Sequence, residues 1–174
     1  MQLASYKFTR PGMQGVANRL IRLRLRGIYS HSEVVFQSTD GVDQFMPDGT
    51  CAPDENGALW CASSVAAERL PAHSPRRAGR LGGVRFKRIV LDPDHWDVLP
   101  YRRDPVAAAR WFKAHEGSLY DWQLIIGFLA WVVPQKDNRS NCSEASAAAG
   151  GAADPWRFDP CVLHAAVAAE GQTK

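Results

Sequence analysis

The sequence predicts an α+β domain in which short strands come first and helices follow. Its 174 residues, 45% of them hydrophobic, suffice for one core and are too few for two comfortable domains. β-Branched and aromatic segments between turn residues dominate up to residue 101, whereas apolar residues take up helical spacing after Asp104 and Pro105. Strands followed by helices are typical of the α+β class.

Five strands are predicted, with one helix between the first two. Segment 83–91 alternates clearly at its start, with Val84 and Phe86 on one face and Arg85 on the other. The helix, 14–26, has apolar residues at helical spacing and ends at Gly27. The predicted strands are 2–8, 29–37, 59–65, 83–91 and 96–101.

Four helices are predicted in the second half of the chain. Asp104 is a typical N-cap and Pro105 a typical first helical residue. An alanine-rich helix opens after Asn141 and stops at Gly150. Segment 120–131 is so apolar that we expect it in the core or against the sheet. The predicted helices are 106–115, 120–131, 141–149 and 160–170.

Composition excludes several classes of protein. Six Trp, seven Phe and four Tyr need a packed interior, which disfavours disorder. The longest apolar run, 124–133, has about ten residues, whereas a bilayer span needs roughly 20. A net charge of +3 is weak support for a nucleic-acid partner, and we expect none. The first residues lack the pattern of a secretory signal, so we expect synthesis in the cytoplasm.

The four cysteines show none of the Cys-x-x-Cys spacings of a zinc site. We therefore expect neither a metal nor an organic cofactor. Cys51 and Cys61 leave two interpretations open, a disulfide in an oxidising compartment or two reduced thiols. Cys161 lies beside Pro160 on an amphipathic helix, and we interpret it as structural.

Cys142 has the sequence context of a nucleophile. It follows Asn141 at the start of a predicted helix, where unpaired N–H groups and the helix dipole favour a thiolate. The same N–H groups could bind an oxyanion. The negative charge of Glu144 either destabilises the Cys142 thiolate or interacts favourably with the positive end of the helix dipole. The alternative is a small buried thiol with a structural role.

His31 is the histidine best placed to act as a base. It begins a predicted strand, and alternation places His31, Glu33 and Val35 on one face. A carboxylate two positions along can hold the imidazole tautomer, as the third member of a nucleophile–base–orienter set does. The alternative is a polar strand start exposed to solvent.

The order of these motifs resembles that of circularly permuted papain-like amidases, bacterial and phage relatives of the NlpC-type cell-wall hydrolases. In papain the cysteine helix comes first, whereas here it follows the histidine strand. The resemblance implies a single permuted papain-like hydrolase domain over 1–174, with a small antiparallel β-sheet or barrel packed against helices. It is carried by YSHSEVVF at 29–36, GGVRFK at 82–87, GSLYDW at 117–122 and NCSE at 141–144, and it spans roughly residues 5–165.

The resemblance also implies roles for single residues. Cys142 would be the nucleophile and His31 the general base and later acid. Tyr120 would line the site and support the oxyanion. Some family members carry a polar orienting residue on the strand after the histidine, but 59–64 has no carboxylate here. We predict Glu33 in that role, with Ser63 as the alternative.

The expected function is thiol-dependent cleavage of an amide bond. Cys142 would attack the carbonyl, His31 would protonate the leaving amine, and water would resolve the thioester. The substrate would be a peptide, with a peptidoglycan stem peptide first by the resemblance. The resemblance also implies a phage or prophage origin, from which the enzyme would reach the wall by lysis or as a virion part.

Two other functions stay open. The fold could serve as a binding or structural module whose arginines meet an anionic partner, although a solvated face also explains them. A lipid-directed acyltransferase or esterase could use 124–133 as an acyl groove, which a buried core helix explains equally well. The arginines are Arg19, Arg22, Arg24, Arg26, Arg76, Arg77 and Arg80.

Overall fold

A five-stranded antiparallel sheet lies at the centre of the structure, in the order β4-β3-β2-β1-β5. The computed structural model describes residues 1–9, 19, 22–23, 26–120 and 139–172. The α+β class predicted from the sequence is confirmed. The strands are β1 (Gln2–Tyr6), β2 (His31–Val35), β3 (Leu59–Arg69), β4 (Leu81–Ile89) and β5 (Trp96–Pro100).

Three α-helices occur in the described part of the chain, and each matches a predicted one. They are α1 (Pro105–His115), α2 (Cys142–Ala149) and α3 (Pro160–Gln172). The Asp104 carboxylate caps α1, accepting hydrogen bonds from the N–H of Val106 at 2.9 Å and of Ala107 at 3.2 Å. The capping signal in the sequence therefore places the start of this helix correctly.

The helices cover one side of the sheet, here called the helix-facing side. Its strands contribute Leu3, Val34 and Phe86, all fully buried, to a core shared with the three helices. Alternation sends the intervening residues to the opposite side, where Tyr6, Val35 and others form a smaller buried cluster. The helices add to the main core Ala108, Ala109, Phe112, Ala145, Ala147, Ala149, Leu163 and Val167.

Three strands meet at one end of the sheet, here called the His31 end. Antiparallel pairing sets Tyr6, the last residue of β1, opposite His31 on one side and Trp96 on the other. β2 and β5 therefore both begin where β1 ends. A helix that reaches this end can contact the first residue of β2.

The predicted helix 120–131 is wrong at its first residue. Tyr120 belongs to a short strand, β6 (Leu119–Tyr120), paired in parallel with β7 (Arg139–Ser140). Backbone bonds hold the preceding residues against β4, with Gly117 N–H donating to Val84 O at 2.9 Å and Val84 N–H to Ser118 O at 3.0 Å. Residues 121–131 of that prediction lie outside the described residues, as does most of the predicted helix 14–26.

β3 is longer than predicted, and its pairing with β4 is irregular between Val65 and Arg69. Gly83 on β4 has a φ of +136°, and a Cβ there would lie 2.5 Å from Ser118 O. Only glycine lets the backbone of β4 approach that of the following segment so closely. Within the described ranges, no helix is both long and apolar enough to cross a membrane.

Replacing Gly150 by alanine tests the packing of α2. A Cβ at this position would lie 1.9 Å from the Tyr101 hydroxyl oxygen, which donates to Ser146 O at 3.1 Å. We expect Gly150→Ala to lower the free energy of unfolding by about 1–3 kcal/mol, measured by urea denaturation. Gly171→Ala is the matched control, because a Cβ there meets nothing within 4 Å. An unchanged Gly150→Ala protein would contradict the packing described.

Candidate active site

The structure brings Cys142, His31 and Glu33 together at the His31 end of the sheet. Cys142 is the first residue of α2, and His31 and Glu33 lie on β2. The Cys142 thiol lies beside the His31 imidazole, close enough for each group to shift the pKa of the other. Cys142 is 6% exposed, and the His31 side chain is 15% exposed. The site is therefore largely shielded from bulk water while His31 remains partly accessible.

Asn141 fixes the position of the thiol by capping α2. Its side-chain oxygen accepts from Glu144 N–H at 2.8 Å and from the Ser143 hydroxyl at 2.9 Å. Glu144 completes a capping box by accepting from Asn141 N–H at 3.3 Å. Glu144 thus serves the helix start, and Cys142 is held at the first helical position.

Glu33 holds the imidazole of His31. The His31 Nε2 lies 2.8 Å from Glu33 Oε1, which leaves Nδ1 for the sulfur of Cys142. Glu33 is itself bound by Arg85, whose two terminal nitrogens donate to the two Glu33 carboxylate oxygens at 2.8 and 2.6 Å. Glu33 and Arg85 are both fully buried. A paired carboxylate of this kind fixes both the tautomer and the orientation of the imidazole.

The electrostatics favour a thiolate–imidazolium pair. Burial raises the pKa of the Cys142 thiol, but the charge and hydrogen bond of His31 and the N–H groups of Ser32 and Ser143 outweigh it and lower that pKa. Burial lowers the pKa of His31, whereas Cys142 and Glu33 together raise it to about 9. The pKa values of the two partners move in the directions that keep both charged.

Glu33 stays ionised for a similar reason. Burial raises the pKa of its carboxyl, but the Arg85 charge and the His31 hydrogen bond lower it to about 2. Glu33 in turn raises the pKa of the Arg85 guanidinium. The site is thus a row of four charged groups, Cys142, His31, Glu33 and Arg85, of alternating sign.

Ser63, the alternative orienting residue, does not contact His31 in this way. Its hydroxyl donates to Ser32 O at 2.7 Å, so it serves the pairing of β2 and β3. The backbone of Tyr120 lies in β6, opposite Ser140, but its side chain lies outside the described residues. The predicted acyl-groove segment 124–133 also lies outside them.

Arg85 is the site residue that the sequence did not reveal. Alternation in β4 placed it correctly on the side opposite Phe86, but an arginine on such a face usually meets solvent. Its burial depends on the strand order, since β3 separates β4 from β2 and the Arg85 side chain reaches across it to Glu33. The only signal in the sequence was its place in the GGVRFK segment at 82–87.

The other three cysteines differ from Cys142. All four are free thiols. Burial and nearby carboxylates raise the pKa of Cys51 to about 11, and burial and Glu33 raise that of Cys61 well above the ordinary thiol value. Burial also raises the pKa of Cys161, whose sulfur donates to Tyr29 O at 3.5 Å. Cys142 alone has its pKa lowered.

The structure gives little support to the alternative in which several arginines together bind an anionic partner. Arg77 donates to Leu81 O at 3.2 Å, and Arg22 donates to Lys7 O at 2.7 Å, so both stabilise local backbone. Arg24 lies outside the described residues. Across the described ranges, no three His, Cys, Asp or Glu side chains are grouped to hold a metal ion.

Replacing Arg85 by methionine leaves Glu33 buried without its main partner. We expect Arg85→Met to lower the free energy of unfolding by about 3–5 kcal/mol at pH 7. The folded pKa of Glu33, about 2, lies below its ordinary 4.5, so its contribution is present above pH 4.5 and is lost as the pH falls toward 2. The loss in Arg85→Met should therefore be smaller at pH 4 than at pH 7, as urea unfolding at both values would show.

Two variants control this experiment. Lys87→Met removes a half-exposed cation from the same strand and should cost less than about 1 kcal/mol. The double variant Glu33→Gln with Arg85→Met should recover part of the lost stability, because no charge is then left unpaired. Equal losses in Arg85→Met and Lys87→Met would contradict the importance of the buried pair.

No family model, no curated protein and no solved structure matches the chain.

Proposed function

We propose that this protein is a cysteine hydrolase that cleaves amide bonds in peptides, built on a circularly permuted papain-like fold. The observation that carries the proposal is the juxtaposition of Cys142, at a helix start, with His31, whose imidazole is held by the buried Glu33. The order of the histidine strand before the cysteine helix supports the permuted arrangement. So does an antiparallel sheet with helices on one side.

In the first step, the Cys142 thiolate attacks the carbonyl carbon of the amide. A C–S bond forms, and the carbonyl electron pair moves to oxygen. The backbone N–H of Cys142 lies at the first helical position, where it has no partner within the helix. This N–H and the positive end of the α2 dipole are suited to stabilise the oxyanion.

His31 then acts first as a general acid and afterwards as a general base. The imidazolium gives its Nδ1 proton to the amide nitrogen, the C–N bond breaks, and the amine leaves a thioester on Cys142. Neutral His31 next takes a proton from water, whose oxygen forms the new C–O bond. The C–S bond breaks, the carboxylic acid leaves, and the thiolate–imidazolium pair is restored.

Glu33 and Arg85 act as positioning residues. Glu33 binds Nε2 of His31, so the proton that moves is the one at Nδ1, beside the sulfur. Arg85 keeps Glu33 ionised and in place from the far side. Neither residue needs to contact the substrate in this mechanism.

For the substrate we propose a peptide, with the peptidoglycan stem peptide as first candidate. The support is the resemblance of the four sequence segments to cell-wall hydrolases. A phage origin, with release by lysis or as a virion part, is proposed on the same ground. The rival functions, a binding module and a lipid-directed acyltransferase, are separated from this one by the two experiments below.

Alkylation of Cys142 by iodoacetamide across pH tests the thiolate–imidazolium pair. We expect the midpoint of the rate profile to lie below the ordinary thiol value of 9, because His31 lowers the pKa of Cys142. In His31→Ala the midpoint should rise, because burial then acts without the imidazolium. Mass spectrometry of the Cys142 peptide separates this thiol from the other three.

The Cys142→Ala variant measures the alkylation of the other three cysteines, which is the background of this experiment. Because burial raises the pKa of Cys51 and Cys161, their peptides should react with midpoints above that of Cys142. If the midpoint of Cys142 alkylation is the same in His31→Ala as in the parent protein, the catalytic pair is refuted and a binding module is favoured.

Hydrolysis of peptides tests the reaction itself. With isolated stem peptides as substrate and new amines measured by fluorescamine, we expect no turnover by Cys142→Ala. His31→Ala should lose about 100- to 10,000-fold in kcat, the usual contribution of a general acid–base. Ser63→Ala is the matched control and should stay within about twofold, because its hydroxyl bonds Ser32 O rather than His31. Transfer of an acyl group from a lipid ester, without peptide cleavage, would instead favour the acyltransferase.

A further inference from the structure

Three side chains with rings lie side by side at the His31 end of the sheet, on three neighbouring strands. The register pairs Tyr6 of β1 with His31 of β2 and also with Trp96 of β5. Residues that are paired across strands point to the same side of a sheet. His31, Tyr6 and Trp96 therefore share the side opposite the helices, with Tyr6 in the middle.

The Trp96 indole lies close to the His31 imidazole at a steep angle. The centroids of the two rings are 6.3 Å apart, and their planes are inclined by 63°. Tyr6 also contacts the indole, with a centroid distance of 4.9 Å and an angle of 62°. Rings at these distances and angles attract each other, because the positive edge of one meets the negative face of the other. Trp96 is thus an aromatic neighbour of the imidazole that Glu33 orients.

Little water surrounds this group of rings. Trp96 is 6% exposed and Tyr6 is 7% exposed, and both belong to the smaller buried cluster on this side of the sheet. The His31 side chain keeps 15% of its surface exposed. Because charges interact more strongly away from bulk water, an aromatic face beside the imidazolium affects its stability more here than it would at an exposed site.

The hydrogen bonds of His31 leave the carbon atoms of its ring for Trp96. The His31 Nε2 lies 2.8 Å from Glu33 Oε1, and Nδ1 is left for the sulfur of Cys142. The ring C–H groups of the imidazolium carry part of its positive charge, as the edge of an aromatic ring does. The indole can therefore give this edge a negative face, which neither polar partner provides.

We propose that Trp96 is a positioning residue, whose indole face holds the edge of the His31 imidazolium and stabilises its charge. The inference rests on the proposed function, since it concerns the base of that reaction. A cation within about 6 Å of an indole centroid is attracted by the negative face of the ring. The face belongs to Trp96 and the edge to His31, because the reverse arrangement would set the positive edge of the indole against a cation. Trp96 acts through His31 and needs no contact with the substrate.

The pKa of His31 in the full chain tests the proposal. NMR titration of the His31 ring signals in Cys142→Ala measures it without the thiol, and the signals that disappear in His31→Ala identify this residue. We expect the further change Trp96→Leu to lower the pKa of His31 by about 0.5 to 1, because leucine is apolar but has no aromatic face. Trp96→Phe restores such a face and should lower it by less than about 0.3. An unchanged or raised pKa in Trp96→Leu would overturn the proposal.

The charged and titratable groups near His31 are the same in all these variants. Glu33 contacts it from β2 and is bound in turn by Arg85 of β4, and Tyr6 lies beside it on β1. Cys142 of α2 is replaced in every sample of the titration. A change in the pKa of His31 therefore reports the side chain at position 96 rather than a change in neighbouring charge.

Three controls separate this contact from a loss of packing. Ile89 of β4 packs against the same cluster as Trp96, two strands away from β2, so Ile89→Ala should lower stability without changing the pKa of His31. Trp156 is half-exposed, and Trp156→Leu should change neither. Fluorinated tryptophans at position 96 keep the shape of the indole but weaken its negative face, so the pKa should fall with each added fluorine. A shift in Ile89→Ala equal to that in Trp96→Leu, or no shift on fluorination, would overturn the proposal.

Alkylation of Cys142 by iodoacetamide separates the failure of this inference from the failure of the proposed function. A less stable imidazolium stabilises the thiolate less, so Trp96→Leu should raise the midpoint of the rate profile, though by less than His31→Ala does. If His31→Ala leaves the midpoint unchanged, the catalytic pair fails, and the NMR titration still decides the role of Trp96. If His31→Ala raises the midpoint and Trp96→Leu does not, the pair stands and the role proposed for Trp96 is refuted.

Discussion

Two fully buried charges, Glu33 on β2 and Arg85 on β4, face each other across β3 on the sheet side opposite the helices. Neither tolerates burial alone, so each fixes the place of the other and therefore the spacing of three strands. Glu33 Oε1 is shared between Arg85 and His31. The requirement to neutralise a buried carboxylate thus sets the orientation of the imidazole, and the stability of the sheet and the geometry of the site depend on the same contact.

Local signals in the sequence predicted the elements that are governed by local interactions. The caps at Asp104 and Asn141 fix α1 and α2, because a capping side chain bonds N–H groups only two or three residues away. The features that the sequence does not predict depend on pairing between segments that are distant in the chain. β3 runs on to Arg69 because β4 pairs with it, and Tyr120 is extended because its segment is held against β4.

The same division applies to the site. A helix start and the alternation along one strand predict Cys142, His31 and Glu33 as site residues, and the structure brings them together. Their catalytic roles remain predictions. Arg85 is not predicted by the sequence, because its burial follows from the order of three strands, which short-range patterns do not determine.

The two reacting groups come from distant parts of the chain, His31 from its second strand and Cys142 from a helix that follows the whole sheet. Until α2 docks at the His31 end, the thiol lacks its imidazolium and keeps the ordinary pKa of a cysteine, so it is mostly protonated at neutral pH. Before α2 docks, Cys142 would react only through the few per cent of thiolate that an ordinary cysteine carries at neutral pH. Docking of α2 beside His31 is then the step of folding that lowers the pKa of this thiol.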